Sequence, residues 1–433
     1  MKIPFIKKNK RRRVAIIGLD CAEPALVFEQ FAGHLPNLDR LRQQGIYGNL
    51  ESVVPPITVP AWACMTSGKD PGTLGIYGFR NRADFTYDTL QVATAQLMRE
   101  PRLWDILSQH NTESIILGVP LTYPVKPIKG NLVSSFLTPG LHSQFTHPPE
   151  LKDDIAQWVG DYMFDVPGFR TADKAWLLEQ IYAMTKQHFE VARRLITQNS
   201  WDFFMMVEMG LDRIQHGFWK DHDVAHRKHD SSSPHKNVIR EYYRYLDLEI
   251  GTLLGLFDED TIVLIVSDHG AKKMDGGIAI NEWLIHEGYL VLHESPSALK
   301  APVRHEDLNI DWRRTRAWGE GGYCGRIFLN IEGREPQGIV SHDAYESLRD
   351  ELMQKLEALG DEHGNPIGTR CYKPEEIYQT VRGIAPDLLV YFGDLYWRSI
   401  GTVGWDAIHV FENDTGPDDS NHSQQGIFIY HDP

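Results

Sequence analysis

The sequence predicts an α/β fold in which a mostly parallel, doubly wound sheet is sandwiched between helices. Two observations carry this. Short continuous apolar runs, Val14–Leu19 and Thr261–Ser267 foremost, have the length and composition of strands buried on both faces. They alternate with longer stretches of helical character, as βαβ units do. A third observation points to function: several runs end on polar side chains, and open sheets of this kind bind ligands outside the carboxyl ends of their strands.

Val14–Leu19 (VAIIGL) is the first strand, and Asp20 follows it directly. Pro36–Gln43 reads as a helix and Gly48–Val54 as a second strand. Pro55-Pro56 then breaks the chain, and Thr58 stands just before Pro60 and the helix-compatible stretch Ala61–Thr66. Thr58 therefore falls at a helix N-terminus, where free backbone N–H groups favour an anion. Ser114–Gly118 is another short strand, while proline and glycine crowd Pro120–Pro149, which reads as long loops. Trp176–Gln198 is a helix and Trp201–Val207 a strand, with Glu208, Asp212 and His216 in the turn after it. The histidine- and serine-rich stretch His222–His235 reads as an exposed loop. Val238–Phe257 is a long helix, Thr261–Ser267 the strongest strand, and Gly426–Tyr430 a last one. A basic tail, residues 1–13, is expected to precede a single domain over 14–433. Insertions at about 79–171 and 274–404 are expected to build a lid over the site.

A chain of 433 residues can bury a large core, and its 42% hydrophobic and 24% charged content is that of a soluble globular protein. The net charge of −15 argues against nucleic acid as the main partner, because phosphate backbones attract basic faces. A phosphorylated small molecule stays open, since bound metal reverses the local field. The basic run Lys7–Arg13 precedes too few apolar residues for a signal peptide. No run approaches the ~18 apolar residues of a membrane span. Cys21, Cys64, Cys324 and Cys371 show no paired spacing, which suggests free, mostly buried thiols in a reducing cytoplasm.

The chemistry lies in scattered polar residues. Asp268-His269-Gly270 ends a strand; the two side chains can face one site if the backbone turns sharply, which Gly270 permits. A capping turn with a satisfied histidine is the alternative. Asp212 and His216, spaced i and i+4, share one face of a helical turn and can chelate one ion, or form an exposed ion pair. Asp20, directly after a fully apolar strand, costs several kcal/mol unless it is paired or metal-bound, a simple N-cap for the next helix being the alternative. His422 follows a turn rich in glycine, proline and aspartate. Carboxylates with imidazoles suit Zn²⁺, with Mn²⁺ or Fe²⁺ as alternatives. Two such ions ~3.5–4 Å apart can hold both oxygens of a phosphoryl transfer. The Thr58 hydroxyl is a poor nucleophile until a metal or base activates it.

These segments resemble one family. Ile16-Ile17-Gly18-Leu19-Asp20, then Pro55-Pro56-Ile57-Thr58-Val59-Pro60-Ala61-Trp62 with Thr66-Ser67-Gly68, are the first two motifs. Leu211-Asp212-Arg213-Ile214-Gln215-His216, Val266-Ser267-Asp268-His269-Gly270 and Asn421-His422 follow in the same order. The chain is similar to the alkaline phosphatase superfamily, most closely its type I phosphodiesterase/nucleotide pyrophosphatase branch. The resemblance implies an alkaline-phosphatase-like fold and two divalent metal ions. Thr58 would be a nucleophile that becomes phospho-threonine. Asp20, Asp268 and His269, with Thr58, would hold one ion, and Asp212, His216 and His422 the other. The Val59 N–H could donate to a phosphoryl oxygen.

Two departures bear on the substrate. Nucleotide pyrophosphatases carry an asparagine for the phosphoryl oxygen after the nucleophile, and the equivalent position here is Phe79. Arg80, Asn81 or Arg82 could substitute, an arginine favouring a more highly charged group. The sulfatase signature is missing at Thr58-Val59-Pro60-Ala61-Trp62. Arg334 could reach substrate or form a strand–turn ion pair, and Trp318 and Tyr323 could stack on an aromatic leaving group or pack in the core. The expectation is a two-metal hydrolase of small phosphate esters. A phosphomutase or phosphotransferase, or a metal-binding scaffold, is the rival.

Overall fold

The computed structural model describes residues 11–294, 299 and 301–433, so Lys7 to Lys10 of the basic run lie outside the described residues. Among the described residues the central sheet has eight strands. Their order is Ile46–Glu51, Gln425–His431, Ile262–Val266, Val14–Leu19, Phe203–Glu208, Ser114–Leu117, Gly130–Val133 and Thr146–His147. The five from Ile262–Val266 to Gly130–Val133 pair in parallel, and the pairings outside them are antiparallel. This is the mostly parallel α/β sheet that the apolar runs imply.

Val14–Leu19 sits between Phe203–Glu208 and Ile262–Val266, with Gly18 level with both Val207 and Val266. A strand enclosed on both edges and both faces needs an unbroken apolar sequence, which VAIIGL provides. Gly18 is there for space: a Cβ would come 2.5 Å from Cη2 of Trp62 and 2.9 Å from Cγ2 of Val207. The helix Lys174–Gln198 is capped by Asp173, whose side chain accepts from the Trp176 N–H at 3.0 Å. Its buried residues, Leu177, Ile181, Met184, His188 and Leu195 among them, recur every three or four positions. That face packs on the helices Gly210–His222 and Val238–Leu254, each large apolar side chain contributing roughly 1.5–3 kcal/mol.

Two expectations need correction. The stretch 79–171 does not lie wholly outside the sheet, since it supplies the strands Ser114–Leu117, Gly130–Val133 and Thr146–His147. Its prolines and glycines punctuate these short strands rather than dissolve them. In the loop from His222 to His235, His226 is buried, its Nε2 lying 3.0 Å from the Asp419 carbonyl.

The stretch 274–404 builds separate sheets. Ala317–Glu320, Gly325–Leu329, Leu388–Tyr391 and Arg370–Tyr372 pair antiparallel, and Tyr345–Glu357 packs beside them around Trp318, Phe328 and Leu352. Gly276–Ala279 pairs with Trp397–Ile400 and His409–Val410. All four cysteines are free and buried. No helix among the described residues is long and apolar enough to cross a membrane.

Candidate active site

Three neighbouring strands release their carboxylates at the same end of the sheet. Asp20 follows Val14–Leu19, its N–H donating to the Glu208 carbonyl at 3.1 Å. Asp268 lies two residues beyond Ile262–Val266. Phe203–Glu208 leads into the helix Gly210–His222, whose first turns carry Asp212 and His216. After the sheet, Gly270–Lys273 pairs antiparallel with Ser420–Ser423, setting Ala271 opposite His422. That ladder returns the C-terminal histidine to the Asp268-His269 turn. Thr58 opens the helix Thr58–Ser67. All seven side chains are buried.

They converge in two overlapping groups. Nε2 of His269 lies 3.2 Å from Asp268 Oδ2, 3.8 Å from Asp20 Oδ1 and 3.3 Å from the Thr58 hydroxyl. Nε2 of His216 lies 3.2 Å from Asp212 Oδ1 and 3.4 Å from Nε2 of His422, which is itself 3.8 Å from Asp212 Oδ1. The rings of His269 and His422 stack with centroids 3.7 Å apart, which joins the groups. Donor atoms of Asp212, His269 and His422 also fall within 4.8 Å of one another. We place His269 with Asp20 and Asp268, because its Nε2 is nearest to Asp268 and to Thr58.

Every ligand candidate is tied down by one atom and free at another. Asp20 Oδ2 accepts from the Trp62 indole N–H at 2.7 Å, and Asp268 Oδ1 from the Cys21 N–H at 3.1 Å. Asp212 Oδ2 accepts from Arg213. The other oxygens, Asp20 Oδ1, Asp212 Oδ1 and Asp268 Oδ2, are buried without a hydrogen-bond donor among the described residues. The histidines repeat the scheme. Nδ1 of His422 donates to the Pro56 carbonyl at 2.7 Å, Nδ1 of His269 to the Gly270 carbonyl at 3.0 Å, and Nδ1 of His216 to Asp418 Oδ1 at 2.7 Å. A proton on Nδ1 leaves a lone pair on Nε2, and each Nε2 faces the orphaned oxygens. Outer-shell acceptors orient metal-bound histidines in this way.

His216 apart, the electrostatics agree. Burial holds the Asp20 carboxyl well above the usual range, with the Asp268 charge adding to it, and burial pushes Asp268 up to about 8. Burial, reinforced by neighbouring imidazoles, lowers His422 well below an ordinary histidine; it also lowers His269. For Asp212 burial is outweighed by His216 and Arg213, which bring it far down. For His216 burial is outweighed by Asp418, Tyr323 and Asp212, which raise it. A cation among the ligands reverses the upward shifts of Asp20 and Asp268 and reinforces the downward shifts of His422 and His269, so that both kinds of ligand are left unprotonated. Orphaned hard oxygens beside imidazole lone pairs are a donor set that divalent metal fits, zinc among them.

Asp268 and His269 face one site without a left-handed residue at Gly270; that glycine is required because a Cβ there would strike the Gln425 carbonyl, while Cys21, next to Asp20, takes the left-handed conformation at φ 70°.

A cleft of about 800 Å³ opens beside the ligands, walled at that end by Ile57, Arg213 and Tyr323. The Tyr323 ring stacks on His422 at 3.6 Å and its hydroxyl accepts from Arg170 at 2.9 Å. Phe79 and Arg80 line the cleft; Asn81, Arg82 and Arg334 do not. Asn81 closes its own turn, accepting from the Tyr77 N–H at 2.7 Å. Arg82 pairs with Glu335, and Arg334 with Asp387 and Glu335. Trp318 is packed among Tyr87, Trp312 and Phe328. The Val59 side chain is buried in an apolar cluster, while its N–H, in the first helical turn, has no acceptor within the helix. The sequence reading missed Asp418, Arg170 and Arg398. Asp418 Oδ2 accepts from Arg170 at 2.8 Å and from Arg398 at 3.0 Å.

The solved structures that resemble the chain share this fold. Phosphonoacetate hydrolase from Sinorhizobium meliloti 1021, in complex with phosphonoformate, aligns with a TM-score of 0.61 and 17% identity over 97% of this chain and 90% of that one. Human ectonucleotide pyrophosphatase/phosphodiesterase 5 aligns with a TM-score of 0.52 and 12% identity over 98% of this chain and 88% of that one. A comparison with curated protein sequences found no match. The family model for type I phosphodiesterase/nucleotide pyrophosphatase matches residues 14–419. With that match spanning nearly the whole chain, the protein belongs to the type I phosphodiesterase/nucleotide pyrophosphatase family.

Proposed function

We propose that the protein is a two-metal hydrolase of phosphate esters acting through phosphorylated Thr58. The observation that carries the reading is the convergence of three orphaned carboxylate oxygens and three imidazole lone pairs beside the Thr58 hydroxyl. Asp20, Asp268 and His269, with Thr58, would hold one ion, and Asp212, His216 and His422 the other, zinc first by donor type. When bound, such ions supply the positive charge that makes a hydroxyl acidic and stabilises a departing oxygen.

The chain's own residues do the rest. Thr58 Oγ1 attacks phosphorus as the P–O bond to the leaving alcohol breaks, and the hydroxyl proton ends on that alcohol. Water then attacks phospho-Thr58, releasing phosphate where the substrate was a monoester or a phosphate monoester where it was a diester, and restoring the hydroxyl. The Val59 N–H is available to a phosphoryl oxygen throughout. Arg213, held by Asp165 and Asp212, and Tyr323, stacked on His422, keep that end of the cleft rigid. Transfer to a second alcohol instead of water uses the same first step, and competing alcohols distinguish the two.

The test is Thr58→Ala, assayed on aryl phosphate mono- and diesters with Zn²⁺ or Mn²⁺. Loss of at least a thousandfold in kcat/KM, about 4 kcal/mol, together with acid-quenched phosphate on wild-type Thr58, is expected. Full activity in Thr58→Ala sinks the covalent route.

A further inference from the structure

Beyond the ligands, the cleft wall holds two guanidinium groups that no acid among the described residues pairs. Arg213 is matched by Asp165 and Asp212, Arg304 by Glu306, and Arg170 and Arg398 share Asp418. The remaining acids of the wall are also engaged: Glu320 meets His305 at 3.3 Å, and Asp414 accepts from Thr402. Arg80 and Arg326 are left over. Among the described residues neither meets a carboxylate, and the Arg80 guanidinium has no hydrogen-bond or ring partner.

The two cations share one stretch of wall. Nη1 of Arg326 donates to the Arg80 carbonyl at 2.6 Å, which leaves its remaining N–H groups unengaged. It passes over Gly78, where an added Cβ would sit 3.5 Å from Nη1. On a chain of net charge −15, two cations on a cleft wall, Arg80 exposed and Arg326 half-buried with Glu320 opposite it in the strand register, are a local reversal of field. The pair also stands close to the phosphoryl end. Arg326 lies three residues beyond Tyr323, whose ring stacks on His422, so their Cα atoms are at most about 11 Å apart. Arg80 adjoins Phe79, whose ring centroid is 6.5 Å from that of Tyr323 and 6.0 Å from that of Phe136. Apolar rings therefore line the same wall as the cationic pair and reach the metal-ligand end through Tyr323.

We propose that Arg80 and Arg326 form a subsite for a second anionic group of the substrate. The ester then carries, on its alcohol portion, a carboxylate or further phosphate separated from the reacting phosphorus by a short apolar spacer. This rests on the reading of the centre as a phosphate-ester hydrolase. Arginine serves because its planar fork matches both carboxylate and phosphate oxygens.

Calorimetric binding to the zinc-loaded protein decides it with three non-hydrolysable probes. They are benzylphosphonate, 4-carboxybenzylphosphonate and para-xylylene bisphosphonate. The wild type is expected to bind at least one of the two doubly functional probes tenfold or more tightly than benzylphosphonate, and which one identifies the second group. The ratio should collapse toward one in Arg80→Gln and in Arg326→Gln. Equal binding of all three by the wild type, or a ratio that survives both substitutions, overturns the subsite. Turnover of phenyl phosphate and of a diester, measured separately, reports on the hydrolase reading. A protein that hydrolyses neither yet keeps the tenfold ratio retains the subsite and loses that reading.

Discussion

Asp418 offers the most direct test of how the candidate metal ligands are held. Its side chain is fully buried, with Oδ1 on Nδ1 of His216 and Oδ2 shared by Arg170 and Arg398. Asp418→Asn keeps the size and removes the charge, and the amide has two ways to sit. With its oxygen toward His216, its NH₂ faces both guanidinium groups. Two hydrogen bonds to charged groups, at 2.8 and 3.0 Å, are then lost, roughly 3–6 kcal/mol in all. With its oxygen toward the arginines, its NH₂ faces Nδ1 of His216. The imidazole proton must then move to Nε2, and that nitrogen can no longer ligate. Losing an outer-shell partner costs about 10–100-fold in metal affinity, or roughly 1.4–2.7 kcal/mol.

The second arrangement is cheaper, so the damage should fall on the metal and not on the fold. Zinc affinity is measured by competition with a chromophoric chelator. One equivalent is expected to weaken 10–100-fold while the equivalent held by Asp20 and Asp268 changes little. A urea melt in the presence of chelator should move far less than the 3–6 kcal/mol of the first arrangement. A folded variant binding both equivalents within about twofold of wild type refutes the reasoning.

Three further outcomes are expected. Gly18→Ala drives a methyl into the Trp62 indole, 2.5 Å away, and so disturbs the bond from that indole to Asp20; it should cost about 1–3 kcal/mol and lower zinc affinity, and unchanged melting would count against the close contact. His188 is raised above 6.5 because Glu208 outweighs burial, so the folded state keeps a proton that the unfolded chain gives up. Its contribution is full below pH 6.5 and fades as pH rises through the folded value. His188→Gln should therefore lose more stability, by denaturant titration, at about pH 6 than at about pH 9, and an equal deficit at both argues against a charged pair. Stripping metal with a chelator should lower Tm and zinc should restore it, by about 4 kcal/mol at a thousandfold excess over Kd. That gain should fall on acidification through the histidine range, and a Tm indifferent to zinc would remove the metal site.

The sequence made the sheet legible wherever burial was uniform. VAIIGL and TIVLIVS have one reading because strands enclosed on both faces tolerate few polar residues, and the observed strands Val14–Leu19 and Ile262–Val266 lie where those runs do. Pro120–Pro149 failed for the opposite reason. Gly130–Val133 and Thr146–His147 are brief strands, the second at the sheet edge, set by pairing with Ser114–Leu117 and with each other, and their proline and glycine neighbours dominate any local reading. Asp20 and Asp268 stood out because a carboxylate at the end of an apolar strand has few inexpensive explanations, and Asp212 through its i, i+4 spacing with His216. Asp418 did not. It sits in Gly416-Pro417-Asp418-Asp419, a string of turn formers, and two of its partners, His216 and Arg170, lie 202 and 248 residues away in sequence and meet it only through the fold. Arg82 and Arg334 misled because an arginine in a loop looks the same in sequence whether a buried acid or a substrate claims it.

The tie between cleft and metal follows from the same carboxylate. A buried oxygen left without a donor costs roughly 1–3 kcal/mol, and three of them weigh heavily against the ~5–15 kcal/mol by which a domain is stable. They persist because each partner oxygen is fixed from outside: Asp20 by Trp62, Asp268 by the backbone at Cys21, and Asp212 by Arg213. Arg213 is itself held by Asp165, and Asp418 by Arg170 from the same stretch and by Arg398 from the strand Trp397–Ile400. The stretches outside the parallel core therefore do more than wall a cleft. They supply the counter-charge that lets acids stay ionised next to the ligands. Since Arg170, Arg213 and Arg398 also line the cleft, a substrate that pulls on them pulls on Asp212 and on His216 through Asp418. Substrate binding and metal affinity should then be coupled free energies, each altering the other by the same factor.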